Sequence, residues 1–453
     1  MLIMISALFL LRLFHITDPP IEVSHNWRQT TSLMVARNFH QLDNNILYPT
    51  IDETGEHRGV VGMEFPAVPY LIHLVSIPLG YDHWYGRLIT LLIVSIGSWY
   101  FFALLRLYVN ERTASVATVA FCFSSLFHLG RKVMPDPTSL SLILIALFYG
   151  FTFLKQGSWW RLLCYMLFAA LGALIKIPFG LFLALLAIPF FEKTTTNKAR
   201  LSIALASVPV LFVIWWWYFD WNVHLAERFG QWYNSGKPIG QGATELWQHA
   251  GAVFERFYFS AFHSYILGSA AIIGWGFLLY RRDKLTIWTS IVLLPFVLVY
   301  MLKSGSLFSH HGYYALVMLP IMAFVLALFL DKLPRKWSLA ILVVGALEAV
   351  ANQQHDFFIK PQAFNKLQLE HIAEAVSERS DLVGLVSNAN PNEFYFLNRK
   401  GWLIDPKDTT VSHLHSLFAR GCKYVFIPRE RYTAALPFNM IFENEHYVVF
   451  ALN

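Results

Sequence analysis

Between Ser24 and Phe39 the chain reads SHNWRQTTSLMVARNF, a polar run set between hydrophobic segments. Histidine, tryptophan, arginine and glutamine side by side next to a membrane are costly unless they hold something polar, which marks this first external loop as the reaction site. Arg28 and Arg37 carry the guanidinium fork that suits a phosphate, with Gln29 as a neutral ligand beside them. Trp27 and Arg28 equally suit an interfacial aromatic and basic belt, and Trp27 and Arg37 are candidates for positioning the loop. His25 has the side chain whose ordinary pKa suits a base near neutrality. Leu33, Val35, Ala36 and Phe39 fit a short helix lying on the membrane surface, capped by Thr30 or Thr31.

Further on, GVVGMEFPAVPYLIHLV places Glu64 among apolar residues, where a carboxyl is expected to have a raised pKa and to serve as a base. It also suits a solvated acid at a helix start beside Pro66, and the prolines that follow speak against a spanning helix. In GRKVMPDPTSL, Asp136 stands between Pro135 and Pro137 behind Arg131 and Lys132. Proline on both sides fixes φ and removes donors, so Asp136 is a turn residue or a carboxylate that orients an acceptor hydroxyl or a metal ion. Lys176 interrupts an apolar hairpin at ALIKIPFG, where an ammonium either snorkels or meets an anionic headgroup. SHHGYYALVMLP supplies His310, His311, Tyr313 and Tyr314 on one predicted face. Neighbouring histidines on a helix point about 100° apart, so hydrogen bonding to phosphate or sugar suits them better than a shared metal. No metal site is expected from these residues, although a divalent cation at the carboxylates stays open.

The elements that must position these residues belong to a membrane protein. Of 453 residues, 56% are hydrophobic, 16% aromatic and only 14% charged, with a mean hydropathy of +0.46. A soluble globular chain does not reach that composition. The net charge of +6 arises from short Lys/Arg clusters between apolar runs, which excludes a nucleic-acid partner. About eleven apolar runs have a length suited to roughly 30 Å of hydrocarbon. They fall near 1–16, 84–105, 114–129, 138–154, 161–175, 178–191, 200–219, 262–280, 285–302, 313–330 and 337–351. The first lacks a basic n-region and a small-residue cleavage site before Asp18-Pro19-Pro20, so an uncleaved anchor is expected. Arg106, Arg112, Lys155, Arg161, Lys193, Lys198, Arg200, Arg281, Arg282, Lys284, Lys332, Arg335 and Lys336 outnumber Arg131, Lys132, Lys176 and Lys303 on the opposite connections. The N-terminus is therefore expected in the cytoplasm, with loops 17–83 and 220–261 outside and the candidate residues gathered on the outer face.

After about residue 352 the pattern shifts to strands (DLVGLVS, KYVFIP, HYVVFAL) alternating with amphipathic helices (QLEHIAEAVSERS, VSHLHSLFARG). The expected architecture is mainly α: a polytopic transmembrane domain over 1–351, then a small α/β extracytoplasmic domain over 352–453. Cys122 and Cys164 lie in apolar segments and Cys422 in the C-terminal part, so neither a disulfide framework nor a cysteine metal site is expected.

HNWRQ, ARNF, MEFP, Gly86-Arg87, MPDP, Lys176-Ile177-Pro178, HHGYY and the trailing outer domain together resemble the GT-C superfamily of integral-membrane glycosyltransferases, close to the protein O-mannosyltransferase and aminoarabinose-transferase-like group (family 39-like). The resemblance covers most of the first 350 residues. It implies transfer of a sugar from a polyprenyl-phosphate donor to a glycan, lipid or protein acceptor outside the cell membrane. Asp136 then matches the second-loop acid and Lys176 the lipid-phosphate lysine, while Arg28, Arg131 and the HHGYY residues support the donor. Many relatives carry an acid in the first-loop helix, yet positions 28–34 read RQTTSLM, which leaves Glu64, Asp136 or His25 as the base. A transporter or flippase of lipid-linked sugars is the competing reading, since polar residues amid spans also mark permeation paths; no inverted repeat supports it. A polysaccharide polymerase using the same donor class stays open.

Overall fold

The computed structural model describes residues 1–230, 236–388, 390–433 and 435–452. The chain divides into two compact units, one of residues 1–16, 87–220 and 234–357, the other of 17–86, 221–233 and 358–453.

The first unit is helical. Its named elements begin with α1 (Leu2–Arg12); α4 (Trp84–Leu105), α5 (Glu111–Phe123), α6 (Leu126–Leu129), α7 (Pro135–Gln156) and α8 (Trp159–Ile175) follow, with α2 (Asn26–Gln41) and α3 (Ala67–Leu79) coming between them in the chain. Among the described residues four helices are long and apolar enough to cross a bilayer: α4, α7, Asn197–Phe229 and Lys284–Ser304. A fifth arises when Ala250–Ser260 and Tyr265–Tyr280, which meet at 100°, are taken as one broken span. Other apolar runs give helices short of a full crossing, among them α1, α3, α8 and Leu319–Leu330. The run at 178–191 is subdivided into a short helix, a 3-10 segment and another short helix. The protein is a helical membrane protein whose α7 lies at the centre, with 83% of its apolar window buried against 28% for Lys284–Ser304.

Local sequence accounts for the breaks. Pro135 and Pro137 open α7, where a missing N–H costs nothing, and Asp136 sits in the first turn facing the positive helix end. At the sharp bend, Ser264 accepts from the Leu267 amide at 3.0 Å, and Glu348 takes the Ser264 hydroxyl at 2.5 Å and the Tyr265 and Ile266 amides at 3.1 Å. The donors exposed by the bend are thereby satisfied. α8 ends where Lys176 turns extended, at φ −158° and ψ 100°, and the Ser139 hydroxyl adds a side-chain donor to the carbonyls at this end, 2.6 Å from Gly172 O and 3.2 Å from Lys176 O.

In the second unit, α2 differs from the sequence expectation. It begins at Asn26 after His25, which holds a left-handed φ of 62°. Thr30 and Thr31 lie inside the helix and donate back to the Asn26 and Trp27 carbonyls at 2.9 and 3.0 Å, so neither is the cap. Leu33 through Asn38 are buried rather than laid on a membrane surface, because α3 and the helix Asn392–Leu397 pack against α2.

The same unit holds a five-stranded sheet of order β2-β1-β3-β5-β4, built from β1 (Leu382–Val386), β2 (Lys400–Ile404), β3 (Cys422–Pro428), β4 (Asn439–Glu443) and β5 (Tyr447–Ala451). β1 runs parallel to β2 and β3, and β5 antiparallel to β3 and β4. The three segments read as strands are β1, β3 and β5. Val425, Ile427, Val448 and Phe450 form the core with Leu414 and Leu417 of the helix Val411–Ala419.

The free edge of β2 is closed by the first loop: the Gly401 amide donates to Asp52 O at 3.1 Å and the Gly55 amide to Gly401 O at 2.6 Å. Gly401 has φ 152°, and a Cβ there would stand 1.7 Å from the Val383 carbonyl. Gly401→Ala is expected to destabilise this unit by about 2–4 kcal/mol, read as earlier unfolding and faster proteolysis of the detergent-solubilised protein.

Candidate active site

In the first unit the approach to Asp136 is held by four buried links. Arg12 donates to Leu126 O at 3.1 Å. His128 Nδ1 donates to Gln353 Oε1 at 2.6 Å. Arg131 donates to His15 O at 2.7 Å and lies over the Phe357 ring. Lys132 Nζ meets Asp356 Oδ1 at 2.6 Å, with both side chains almost wholly buried. His128 Nε2 stands 3.7 Å from the other Asp356 oxygen. Burial raises the Asp356 carboxyl, but His128 and Lys132 outweigh it and hold it well below the usual carboxylate range.

This Lys132–Asp356–His128–Gln353 network escaped the sequence reading. Its only signal was the polar run NQQHD closing the last apolar stretch, which says nothing of a partner more than 200 residues away.

Asp136 itself is buried at the start of α7. α7 packs on α8, on the short helix Ile177–Gly180 that follows Lys176, and on the 3-10 turn Gly312–Val317. The elements carrying Asp136, Lys176, Tyr313 and Tyr314 are therefore neighbours. His311 stacks on Tyr314 with centroids 5.8 Å apart and an interplanar angle of 22°, and Tyr300 also stacks on Tyr314, at 5.5 Å and 10°.

The HHGYY run does not share one face. The helix Ser306–His310 ends at His310, and His311 is extended ahead of Gly312. His310 instead donates Nδ1–H to Ser306 O at 2.6 Å and meets the His249 ring.

The first-loop residues form a second cluster, in the other unit. Arg28 is ion-paired with Glu64, which gives Glu64 an opposite charge in place of the apolar isolation read from MEFP. Asn222 clamps the preceding Met63 with two hydrogen bonds, accepting from its amide at 3.1 Å and donating to its carbonyl at 2.9 Å. Gln29 donates to the buried Glu22 at 2.8 Å. Trp27 is half exposed. Arg37 is buried and bound to Asp52 at 2.8 Å and to Tyr395 O at 2.7 Å. Its guanidinium therefore braces the loop from inside.

Among the described residues no three His, Cys, Asp or Glu side chains converge as metal ligands. An apolar cavity lined by Phe101, Leu144, Phe182 and Leu293 contains none of the predicted site residues.

Solved structures share this fold over nearly the whole chain. ArnT from Cupriavidus metallidurans in the apo state matches with a TM-score of 0.63 at 11% identity, over 99% of this chain and 97% of that one. The same enzyme bound to undecaprenyl phosphate gives 0.62 at 12%, with the same coverage. The Archaeoglobus fulgidus oligosaccharyltransferase tethered to an acceptor peptide gives 0.53 at 12%, over 94% and 68%. The fold is that of the GT-C membrane glycosyltransferases. Within the sequence, residues 64–218 match the family described as dolichyl-phosphate-mannose-protein mannosyltransferase, a stretch that includes Glu64, Arg131, Asp136 and Lys176. No curated protein matches the chain by sequence.

Two outcomes follow from the electrostatics. Lys132→Met leaves Asp356 buried without its ammonium and is expected to cost about 3–5 kcal/mol, most of it recovered in Lys132→Met/Asp356→Leu; thermal unfolding in detergent reads both. Glu53, beside Asp52, has its carboxyl pushed up to about 7 by burial first and then by the Asp52 charge, and its Oε2 has no hydrogen-bond donor among the described residues. A carboxyl raised on folding stabilises fully below its unfolded pKa, and that contribution is lost as pH rises toward 7. Glu53→Gln is accordingly expected to flatten the decline in stability between about pH 4.5 and 7, a difference on the order of 2 kcal/mol.

Proposed function

We propose that this protein is a membrane glycosyltransferase that moves a sugar from a polyprenyl-phosphate-linked donor to an acceptor on the outer face of the cell membrane. The observation that carries this reading is that α7, which Asp136 opens, packs both on the helices flanking Lys176 and on the turn carrying Tyr313 and Tyr314, inside a unit with the GT-C fold. The undecaprenyl phosphate held by ArnT supports a lipid phosphate as the anion that Lys176 meets.

In the proposed reaction the acceptor hydroxyl attacks the anomeric carbon, the bond from that carbon to the phosphate oxygen breaks, and configuration inverts. Asp136 takes the hydroxyl proton. Lys176, Arg131, His311, Tyr313 and Tyr314 stabilise the charge growing on the departing lipid phosphate. Glu64, paired with Arg28, and His25 are assigned to orienting the first loop and its ligands. His25 does so from a backbone conformation that non-glycine residues seldom keep without a role.

The topology proposed with this chemistry has about eleven passes, a cytoplasmic N-terminus and an extracytoplasmic C-terminal part from about residue 352. Residues 17–86 and 358–453 fold into one compact unit, which supports placing the C-terminal part on the same side as loop 17–83.

The test reconstitutes the full chain with labelled polyprenyl-phosphate hexose and pentose donors and follows label into a new glycosidic bond. Asp136→Asn is expected to lower turnover by about 10²–10⁴, Lys176→Ala by about 10²–10³, and Glu64→Gln by less than Asp136→Asn. Leaflet exchange of the donor without bond formation would overturn the transferase reading, and full turnover in Asp136→Asn would overturn the base.

A further inference from the structure

A cleft of about 510 Å³ opens in the second unit, lined by Arg379, Arg399 and Lys400 together with Asn38, Asp52 and Glu378. The three cations come from the turn before β1 and from the start of β2, where Leu382 and Lys400 are register partners. In open parallel sheets small ligands usually gather beyond the carboxyl ends of the strands. This cleft is at the amino ends, and its charge needs an explanation of its own.

The positive groups meet only neutral acceptors. Arg399 is 5% exposed and donates to Ser377 Oγ at 3.2 Å, Ser377 O at 2.9 Å and Asn398 O at 3.1 Å. Lys400 donates to Arg58 O at 3.1 Å, and Arg379 to Gln41 Oε1. None of the three is in an ion pair among the described residues. Asp52, the buried carboxylate of the cleft, is already engaged by Arg37 and Asn38, each at 2.8 Å. The other acid, Glu378, is exposed at the rim.

Three cations thus line one hollow without a direct ion pair, answered only at longer range by Asp52, Glu370, Glu374 and Asp381, and an anion in the hollow would meet their remaining donors directly. Partial desolvation of its guanidinium on the cleft wall, with the neighbouring Arg37, pushes Arg379 down to about 10 against the opposing pull of Asp52 and Glu370.

We propose that this cleft binds a phosphate-type oxyanion held by Arg379, Arg399 and Lys400. Two guanidinium forks and one ammonium supply planar paired donors and a mobile point charge, a set matched to tetrahedral oxygens. The oxyanion is either free phosphate or a phosphate borne by a lipid. The binding stands independently of the transferase reading above.

The test is calorimetric titration of the full-length protein in detergent micelles at low salt, with inorganic phosphate in one arm and short-chain phosphatidic acid in the other. Arg379→Gln/Lys400→Gln changes an exposed and a half-buried side chain, so its unfolding temperature is expected to match the parent's, and its affinity to fall at least about tenfold. Parent binding is expected to weaken as salt rises. Response to inorganic phosphate identifies the free anion as sufficient, and response to phosphatidic acid alone identifies a lipid headgroup. Equal affinity in parent and variant, or no response to either probe, overturns the proposal. Phosphate binding in a protein that transfers no sugar upholds the cleft and overturns only the transferase reading.

Discussion

The buried contact between Lys132 and Asp356 is the constraint on which the first unit depends. A polar segment that must leave the end of α5, pass through α6 and deliver a proline-flanked acid to the head of α7 has little regular hydrogen bonding of its own. Side chains supply what the backbone lacks. Lys132, His128 and Arg131 reach to the far end of the last long helix or to the segment after α1, and Arg12 reaches from α1 to the Leu126 carbonyl of α6. Removing charge from water to make such links is expensive, and hydrophobic replacements often do as well for stability alone. What ionic links add is direction, which matters where a carboxylate must face its partners within a fraction of an ångström.

The second unit solves a related problem by another route. Its first loop, rich in Asp, Glu and Gly between residues 52 and 59, is attached to the sheet by backbone hydrogen bonds at Gly401 and by Arg37, which joins Asp52 to the Tyr395 carbonyl. Arg37 also lies over the Tyr395 ring, 4.7 Å from its centroid. One guanidinium thus connects α2, the loop and the helix Asn392–Leu397. Close beside it, Arg379, Arg399 and Lys400 donate to neutral oxygens and meet carboxylates only at longer range, so the same region contains both a direct and an indirect compensation of charge.

Periodicity made the architecture readable where segments were long and uniform. Apolar runs announced α4, α7 and Lys284–Ser304, and alternation announced β1, β3 and β5. β2 was missed because KGWLI begins with a lysine and a glycine held at positive φ, and β4 because it is a mostly exposed edge strand with little apolar pattern. The prolines around Asp136 and the charge of Lys176 marked interruptions of apolar runs, and both interruptions fall at helix boundaries. The HHGYY run misled because adjacency in sequence suggested a single helical face, whereas the extended His311 divides it. Partners for Arg28, Arg37 and Lys132 could not be read at all, since charge complementarity across tens to hundreds of residues leaves no local period. The boundary at 352 came from composition, which cannot reveal that the C-terminal strands share a compact unit with residues near the other end of the chain.

That sharing has a kinetic consequence. Arg37 and the Tyr395 carbonyl are 358 positions apart, and a ribosome adding roughly 5–20 residues per second needs on the order of 20–70 s to travel between them. For that interval the nascent first loop must persist without its sheet, its arginine and aspartate still hydrated. Maturation of this unit is therefore late, timed by the arrival of the last hundred residues, and a truncated message would yield a first loop with no sheet to close upon.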